Sequence, residues 1–127
     1  HDVDIAIAAK KVIVTCEELV SNEYIKNFDA AENKIPGFCV DAVVHAPFGA
    51  HPSQCYNYYD YDAAFYKMYN VESKTEENFN AFLDEWVYGV EDHEAYLNKL
   101  GATRLIGLKN VPGFGYSTDV LKKGEDK

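Results

Sequence analysis

The sequence has little positive charge and little sulfur. Its 127 residues hold 12 lysines and arginines against 21 aspartates and glutamates, which gives a formal net charge of −9. Because an excess of acids opposes contact with phosphate backbones and anionic lipid, we expect neither a nucleic-acid partner nor a membrane partner. The three cysteines (Cys16, Cys39 and Cys55) are too few and too scattered for a disulfide framework. This favours a reducing compartment, and we expect a cytoplasmic location.

Long apolar runs and phosphate-binding motifs are also missing. No apolar run approaches the ~20 residues that cross a bilayer, and we expect no signal peptide. The glycines of "GFG" at 113–115 match neither a P-loop nor a dinucleotide fingerprint. Size and composition indicate one globular domain over residues 1–127. The chain begins at His1 rather than Met and its first residues already have a structured pattern, which suggests a piece of a longer protein.

Apolar patterns predict three strands. A β-branched run at 12–16 predicts the first, and "FCVDAVVHA" at 38–46 predicts the second. The second is apolar on both faces except at Asp41 and His45, so we expect it to be central in a sheet. "TRLIGL" at 103–108 predicts a closing strand. The first eleven residues fit either a short strand or an Asp-capped helix, and the pattern leaves both open.

Helical patterns fill the rest of the second half. Asp62 is the predicted N-cap of a short helix, and Ser73 with Glu76 forms a predicted capping box before a helix that extends to Val90. A further helix begins in "EDHEAYLNKL" and is expected to stop at Gly101. Strands mixed with helices predict an α/β fold.

Three sets of residues carry candidate chemistry. Cys39, His45, His51 and Cys55 could be zinc ligands, but their spacing lacks the close pairs of structural sites, so no metal site is predicted. Cys55 as a nucleophile with His51 as base is conceivable, although no oxyanion-hole motif accompanies it. The tyrosines at 56, 58, 59 and 61 fit half-buried packing better than a ligand stack.

Two adjacent acids form a fourth candidate. Glu17 and Glu18 follow the end of the first predicted strand, where α/β folds place ligand-binding groups. Solvated acids at a strand end are the commoner case, and that interpretation is favoured.

Three blocks carry a resemblance to a known family: "AAKKVIVTCEELV", "IPGFCVDAVVHAPFGAHPSQCY" and "SKTEENFNAFLDEWVYGV". The chain resembles the C-terminal part of the α subunit of the CoA-transferases of the glutaconate type, over nearly its whole length. The resemblance implies an α/β fold of the NagB/RpiA/CoA-transferase-like kind, with central sheet strands and packed helices. It also implies a hetero-oligomer with a second CoA-transferase subunit, the β subunit.

The implied reaction moves CoA from acetyl-CoA, or another acyl-CoA, to glutaconate or 2-hydroxyglutarate. A glutamate carboxylate attacks the thioester and gives a mixed anhydride and CoA thiolate. The thiolate then attacks the glutamyl carbonyl and releases the first carboxylate, which leaves a glutamyl-CoA thioester that the second acid attacks. In this family the nucleophile belongs to the β subunit, so no catalytic residue is assigned to this chain. The CoA thioester is a substrate and no cofactor is implied. A CoA-ester hydrolase or lyase subunit of the same fold, or a non-catalytic assembly domain, are the alternatives.

The family also carries the stretch "FGAHPSQCYNYYDYD" at 48–62. Gly49 permits a tight turn and Pro52 fixes the backbone after His51. We expect the loop to hold Gly49, His51, Ser53 and Gln54 toward a carboxylate or CoA at the subunit interface. The alternative, equally open, is that the loop only shapes the sheet edge and the contact between subunits.

Overall fold

A computed structural model of the protein describes residues 2–29, 34–115 and 117. The chain divides into two compact units, His1–Gly49 and Ala50–Lys127. The single domain over residues 1–127 stays a prediction. Among the helices of the described residues, none is long and apolar enough to cross a membrane.

The first unit is built around two parallel strands. Its elements are α1 (Asp2–Ala8), β1 (Ile13–Cys16), α2 (Asn22–Lys26), a 3₁₀ turn (Gly37–Cys39) and β2 (Ala42–His45). The strands pair in register from Ile13 with Ala42 to Cys16 with His45. The first strand is therefore confirmed, and the ambiguous segment at the start of the chain is a helix.

The second strand is shorter and less central than its pattern predicts. It begins at Ala42, because Gly37–Cys39 forms the 3₁₀ turn before it. Within the described residues β2 pairs with β1 alone, so it is not a central strand there. Val43 and Val44 remain 59% and 46% exposed. An apolar pattern on both faces predicts a strand that is covered on both faces. In the described residues, however, the residues of β2 are exposed and only one strand pairs with it.

The second unit is helical. Its elements are α3 (Ala63–Glu72), α4 (Glu76–Leu83), a π-helical turn that continues α4 (Asp84–Tyr88), α5 (His93–Leu100) and α6 (Ala102–Leu108). Asp62 caps α3 as predicted, and Gly101 ends α5 with a φ of +84°.

The predicted closing strand at 103–108 is wrong, because these residues belong to α6. A short apolar run fits a strand and a buried helix equally well by periodicity. The helix is favoured because it places Leu105 against the core and buries Leu108, which lies three residues later on the same helix face.

An aromatic cluster holds the helices together. Phe65 of α3, Phe82 of α4 and Leu100 of α5 are its buried members. The ring of Phe65 lies edge-on to those of Phe82 and Trp86, with centroids 5.9 and 5.0 Å apart. Such aromatic pairs prefer this geometry, so one phenyl ring joins α3 to both parts of the α4 segment.

The predicted capping box of α4 is shifted by two residues. Thr75, not Ser73, is the N-cap: its hydroxyl accepts a hydrogen bond from the amide of Asn78 at 3.2 Å. Ser73 instead follows the last turn of α3. Ser73 fits the capping-box rule and Thr75 fits only the simpler N-cap preference, but α3 extends to Glu72 and leaves Thr75 as the cap.

Removing this cap should destabilise the helix measurably. We expect Thr75→Ala to lower the free energy of unfolding by about 1 kcal/mol, because an amide of the first turn loses its acceptor. The matched change Ser73→Ala should stay within about 0.5 kcal/mol of the parent. Urea unfolding of the complete subunit measures both, and equal losses would argue against Thr75 as the cap.

Candidate functional site

Residues 51–62 form a loop whose two ends meet. The amide of Asp62 donates to the carbonyl of Pro52 at 2.9 Å, and the His51–Pro52 peptide is cis. Just before the loop, the amide of Ala50 donates to the hydroxyl of Tyr59, which is 1% exposed. Compact loops closed in this way hold their exposed residues in fixed positions.

The second half of the loop is tied to α6 and the residues after it. The amide of Asp60 donates to the carbonyl of Leu108 at 2.9 Å, and that of Asn110 donates to the carbonyl of Tyr58 at 3.0 Å. Backbone hydrogen bonds of this kind leave little freedom for a loop without regular structure.

The side chain of His51 points into the second unit. It is 0% exposed, and its Nδ1 lies 2.6 Å from the hydroxyl of Tyr96 on α5. Its Nε2 lies 3.0 Å from a carboxylate oxygen of Asp62. The ring also packs edge-on against Phe65, with centroids 5.0 Å apart. Both ring nitrogens are therefore engaged inside the protein.

Asp62 connects the loop to two helices. It is 3% exposed and accepts hydrogen bonds from the amide of Phe65 at 2.9 Å and from His51. The guanidinium of Arg104 on α6 pairs with the same carboxylate. Burial acts to raise the pKa of Asp62, but these hydrogen bonds and the charge of Arg104 together hold that pKa below its ordinary value. The carboxylate is ionised and fully partnered.

The charge of Asp62 defines the protonation of its neighbours. A carboxylate only accepts, so Nε2 of His51 carries the hydrogen. Burial lowers the pKa of His51 despite the attraction of Asp62, which leaves the ring neutral and makes Nδ1 an acceptor. The hydroxyl of Tyr96 therefore donates to Nδ1. Burial and the nearby Asp62 charge raise the pKa of Tyr96 to about 12, so this donor keeps its proton.

The buried imidazole predicts a loss of stability in mild acid. The pKa of His51 in the folded protein lies below 6.5, so the unfolded chain binds this proton more readily. The contribution of the neutral His51 ring to the free energy of unfolding is therefore complete above about pH 6.5 and decreases as the pH falls below that value. Asp62, whose pKa is below 3.8, titrates outside this window.

Urea unfolding of the complete subunit at about pH 8 and at about pH 5 would measure this loss of stability. The parent should lose stability between the two, and His51→Gln, which does not titrate, should lose less. Equal pH dependence in both proteins would contradict the assignment.

The four predicted site residues do not share one environment. Gly49 makes the tight turn: an added Cβ would lie 2.7 Å from the carbonyl oxygen of Ala46. His51 is buried, as described above. Ser53 is exposed, with its hydroxyl 2.8 Å from that of Tyr66 on α3. Gln54 lines a cavity of about 380 Å³ together with Cys55, Tyr56, Tyr59, Asp60, Asn110, Phe114 and Gly115. Their role in binding substrate or CoA stays a prediction.

The alternative chemistry considered for these residues is not assembled. His51 uses its nitrogens on Tyr96 and Asp62, so it is not positioned as a base for Cys55. In the described ranges 2–29, 34–115 and 117, no group of three or more His, Cys, Asp or Glu side chains could hold a metal ion. Cys16, Cys39 and Cys55 form no disulfide.

Glu17 has a structural partner in the first unit. Its carboxylate accepts a hydrogen bond from the amide of Phe48 at 2.6 Å, where Phe48 has a positive φ of 57°. A solvated acid was the favoured interpretation, but the carboxylate in fact stabilises the turn that contains Gly49. Sequence spacing gave no sign of this contact, because the two residues are 31 positions apart.

Three further members of the buried network were not identified as site residues from the sequence. Asp62 was assigned only as a helix cap, and Tyr96 and Arg104 received no role. One signal was available: a histidine, a tyrosine and an arginine on apolar elements need polar partners if they are buried. Their separation in sequence concealed which partners these were.

Comparison with known proteins identifies close relatives of the chain, although no family model matches it. All 127 residues align with the α subunit of glutaconate CoA-transferase of Acidaminococcus fermentans at 64% identity, and cover 39% of its length. A 97-residue stretch, 75% of this chain, is 35% identical to the α subunit of 3-oxoadipate CoA-transferase of Pseudomonas knackmussii and covers 33% of it. The cholesterol ring-cleaving hydrolase IpdA subunit of Mycobacterium tuberculosis is 28% identical over 100 residues, which are 77% of this chain and 34% of the hydrolase polypeptide.

The fold agrees with the sequence. The crystal structure of glutaconate coenzyme A-transferase from A. fermentans matches 95% of this chain with a TM-score of 0.84, and the match covers 38% of the solved chain. This confirms the α/β fold class. The chain thus spans well under half the length of the relatives it matches. By sequence and by fold, this chain is a relative of the C-terminal part of the CoA-transferase α subunit.

Proposed function

We propose that the chain forms part of the α subunit of a CoA-transferase, which works with a β subunit in a hetero-oligomer. The reaction moves CoA from acetyl-CoA, or another acyl-CoA, to glutaconate or 2-hydroxyglutarate. The observation that carries the proposal is the 64% identity over the whole chain to the α subunit of the glutaconate enzyme. The proposed location is the cytoplasm, and the CoA thioester serves as substrate without a further cofactor.

The described side chains support a non-nucleophilic role for this chain. An attacking glutamate needs a water-excluded pocket with donors directed at the developing oxyanion. No glutamate is buried in the part of the chain that the structure describes. Asp62 is buried, but Arg104, His51 and the amide of Phe65 already occupy its oxygens. A carboxylate held in this way is a poor nucleophile.

The loop at 51–62 is the candidate contact with substrate or with the β subunit. It exposes Ser53 and Gln54 close to its base, which is fixed by the Asp62–Pro52 and His51–Asp62 hydrogen bonds. Hydroxyl and amide groups on a rigid loop suit the binding of a carboxylate or of the amides and hydroxyls of CoA. Neutral hydroxyl and amide donors can bind a carboxylate even though the chain as a whole carries a net charge of −9.

A CoA-ester hydrolase is the second candidate, since a subunit of a hydrolase that is named for cleaving the cholesterol ring is among the relatives. The two activities differ in the fate of the CoA group. A transferase gives acetate and the new acyl-CoA in equal amounts and conserves the thioester, whereas a hydrolase releases free CoA to water.

The test uses the complete complex that contains this chain, supplied with acetyl-CoA and glutaconate. Chromatography of the CoA species should show glutaconyl-CoA formed only when glutaconate is present, with little free CoA. Free CoA formed without an acid acceptor would favour the hydrolase. A complex that binds neither substrate and shows neither activity would favour the assembly domain.

A further inference from the structure

The buried polar groups of the second unit form one continuous chain of hydrogen bonds. Tyr96 donates to His51, His51 donates to Asp62, and Arg104 donates to the same carboxylate. Stability of the core does not by itself account for these polar groups, because apolar side chains of similar volume often stabilise a core at least as well. A network of this kind instead specifies one arrangement of the elements that it joins.

The elements joined are the two ends of the exposed loop and two helices. His51 lies at the start of the loop and Asp62 at its end, whereas Tyr96 belongs to α5 and Arg104 to α6. The loop is thus fixed to the rigid part of the unit at both ends.

The two inner members of the network, His51 and Asp62, adjoin the groups that contact Ser53. On one side, Ser53 follows His51 by two residues, and its amide donates to the carbonyl of Ala50 at 2.8 Å. On the other side, Asp62 caps the first turn of α3, and Tyr66 in that turn holds the hydroxyl of Ser53 at 2.8 Å. Ser53, Ala50 and Tyr66 are exposed, whereas the side chains of His51 and Asp62, which anchor the segments carrying them, are buried.

We infer that Tyr96, His51, Asp62 and Arg104 are positioning residues that fix the hydroxyl of Ser53 for contact with the carboxylic-acid substrate. The inference rests on the proposed function, since it names the substrate that Ser53 contacts. A hydroxyl held in place before the substrate arrives loses less conformational entropy on binding than a mobile one. The buried residues act through Ser53 and do not touch the acid.

A double-mutant cycle on the complete complex tests the coupling. We expect Ser53→Ala to lower kcat/KM for the acid by about tenfold, as for a lost hydrogen bond to a charged group. Tyr96→Phe removes one hydroxyl from the network and should lower the same quantity by about fivefold. The double variant should be no worse than Ser53→Ala alone, because the network has nothing left to position. Independent losses that multiply to about fiftyfold would overturn the inference.

Two controls separate positioning from stability. Tyr88→Phe removes a hydroxyl from a 73% exposed ring in the same unit and should match the parent. All variants are assayed where urea unfolding shows them fully folded. Loss of activity in Tyr96→Phe that follows only its unfolded fraction would also overturn the inference.

Hydrogen exchange gives a readout that does not depend on turnover. In Tyr96→Phe the amides of Cys55 and Tyr58, which bond within the loop, and that of Ser53, which bonds to Ala50 just before it, should exchange at least about tenfold faster. Amides of α4 should be unchanged. If the parent complex transfers no CoA, the proposed function fails. Unchanged loop exchange would show separately that the network does not fix the loop.

Discussion

Replacing Asp62 by alanine should lower the free energy of unfolding by about 3 kcal/mol, the lower end of the cost of breaking a buried charge pair, because the side chain of Arg104 is 30% exposed. The change leaves the guanidinium of Arg104 beside an uncharged pocket and removes the acceptor of His51 Nε2. It also removes the N-cap of α3, since the amide of Phe65 loses its partner. At neutral pH, urea unfolding of the complete subunit measures the loss.

Asp92→Ala provides the matched control. Asp92 caps α5 through the amide of Ala95 at 2.8 Å, and its side chain is exposed rather than buried in an ion pair. Its loss should cost about 1 kcal/mol, the ordinary value for an N-cap. The difference between the two alanine variants therefore isolates the buried pairing of Asp62.

Asp62→Asn should fall between these values. Its carbonyl oxygen still accepts from the amide of Phe65, but its amide group faces the donors of His51 and Arg104. If Asp62→Ala costs no more than Asp92→Ala, the ion pair contributes nothing beyond the cap, and the description of the buried network is wrong.

Local sequence rules predict the start of α3 and the end of α5 but not the contacts between the helices. The Asp62 cap and the stop at Gly101 depend on neighbouring residues, and both are confirmed. The partner of Asp62 was missed because Arg104 lies 42 residues away in a segment assigned to a strand. An apolar run of six residues carries too little periodicity to separate a strand from a helix.

The loop at 48–62 illustrates the same limit. Its composition singled it out, and the structure confirms the tight turn at Gly49. The direction of His51 was beyond prediction, because it depends on Tyr96, which lies 45 residues later. Glycine and proline constrain the backbone directly, whereas the burial of a polar side chain depends on partners brought together only by folding.

The resemblance to a family indicates an activity, which the residue patterns alone do not. Strand and helix signals alone allowed an α/β domain without an activity, and long matching blocks then identified the CoA-transferase relatives. The pattern of β2 predicts a central strand that is covered on both faces, whereas in the described residues β2 pairs with β1 alone and its residues are exposed, so this prediction is wrong there.

A covalent label should appear on the β subunit rather than on this chain. If the proposed function holds, incubation of the complete complex with acyl-CoA forms a glutamyl-CoA thioester, and borohydride reduces that group to a stable alcohol. Peptide mass analysis should then locate the modification on one glutamate of the β subunit. The effect is all or none, because only a glutamate that has attacked the thioester becomes reducible.

The environment of the acids in this chain is the physical reason for that expectation. The glutamates of its described part are solvent-accessible, and Glu17, which follows β1, accepts a hydrogen bond from the amide of Phe48. Water at such positions would hydrolyse an acyl intermediate and waste the thioester. Ser53→Ala should leave formation of the label intact, since the serine is proposed to contact the acid, which is absent at this stage, and takes no part in the covalent step. A reduced glutamate in a peptide from residues 1–127 would assign the nucleophile to this chain and overturn its proposed role.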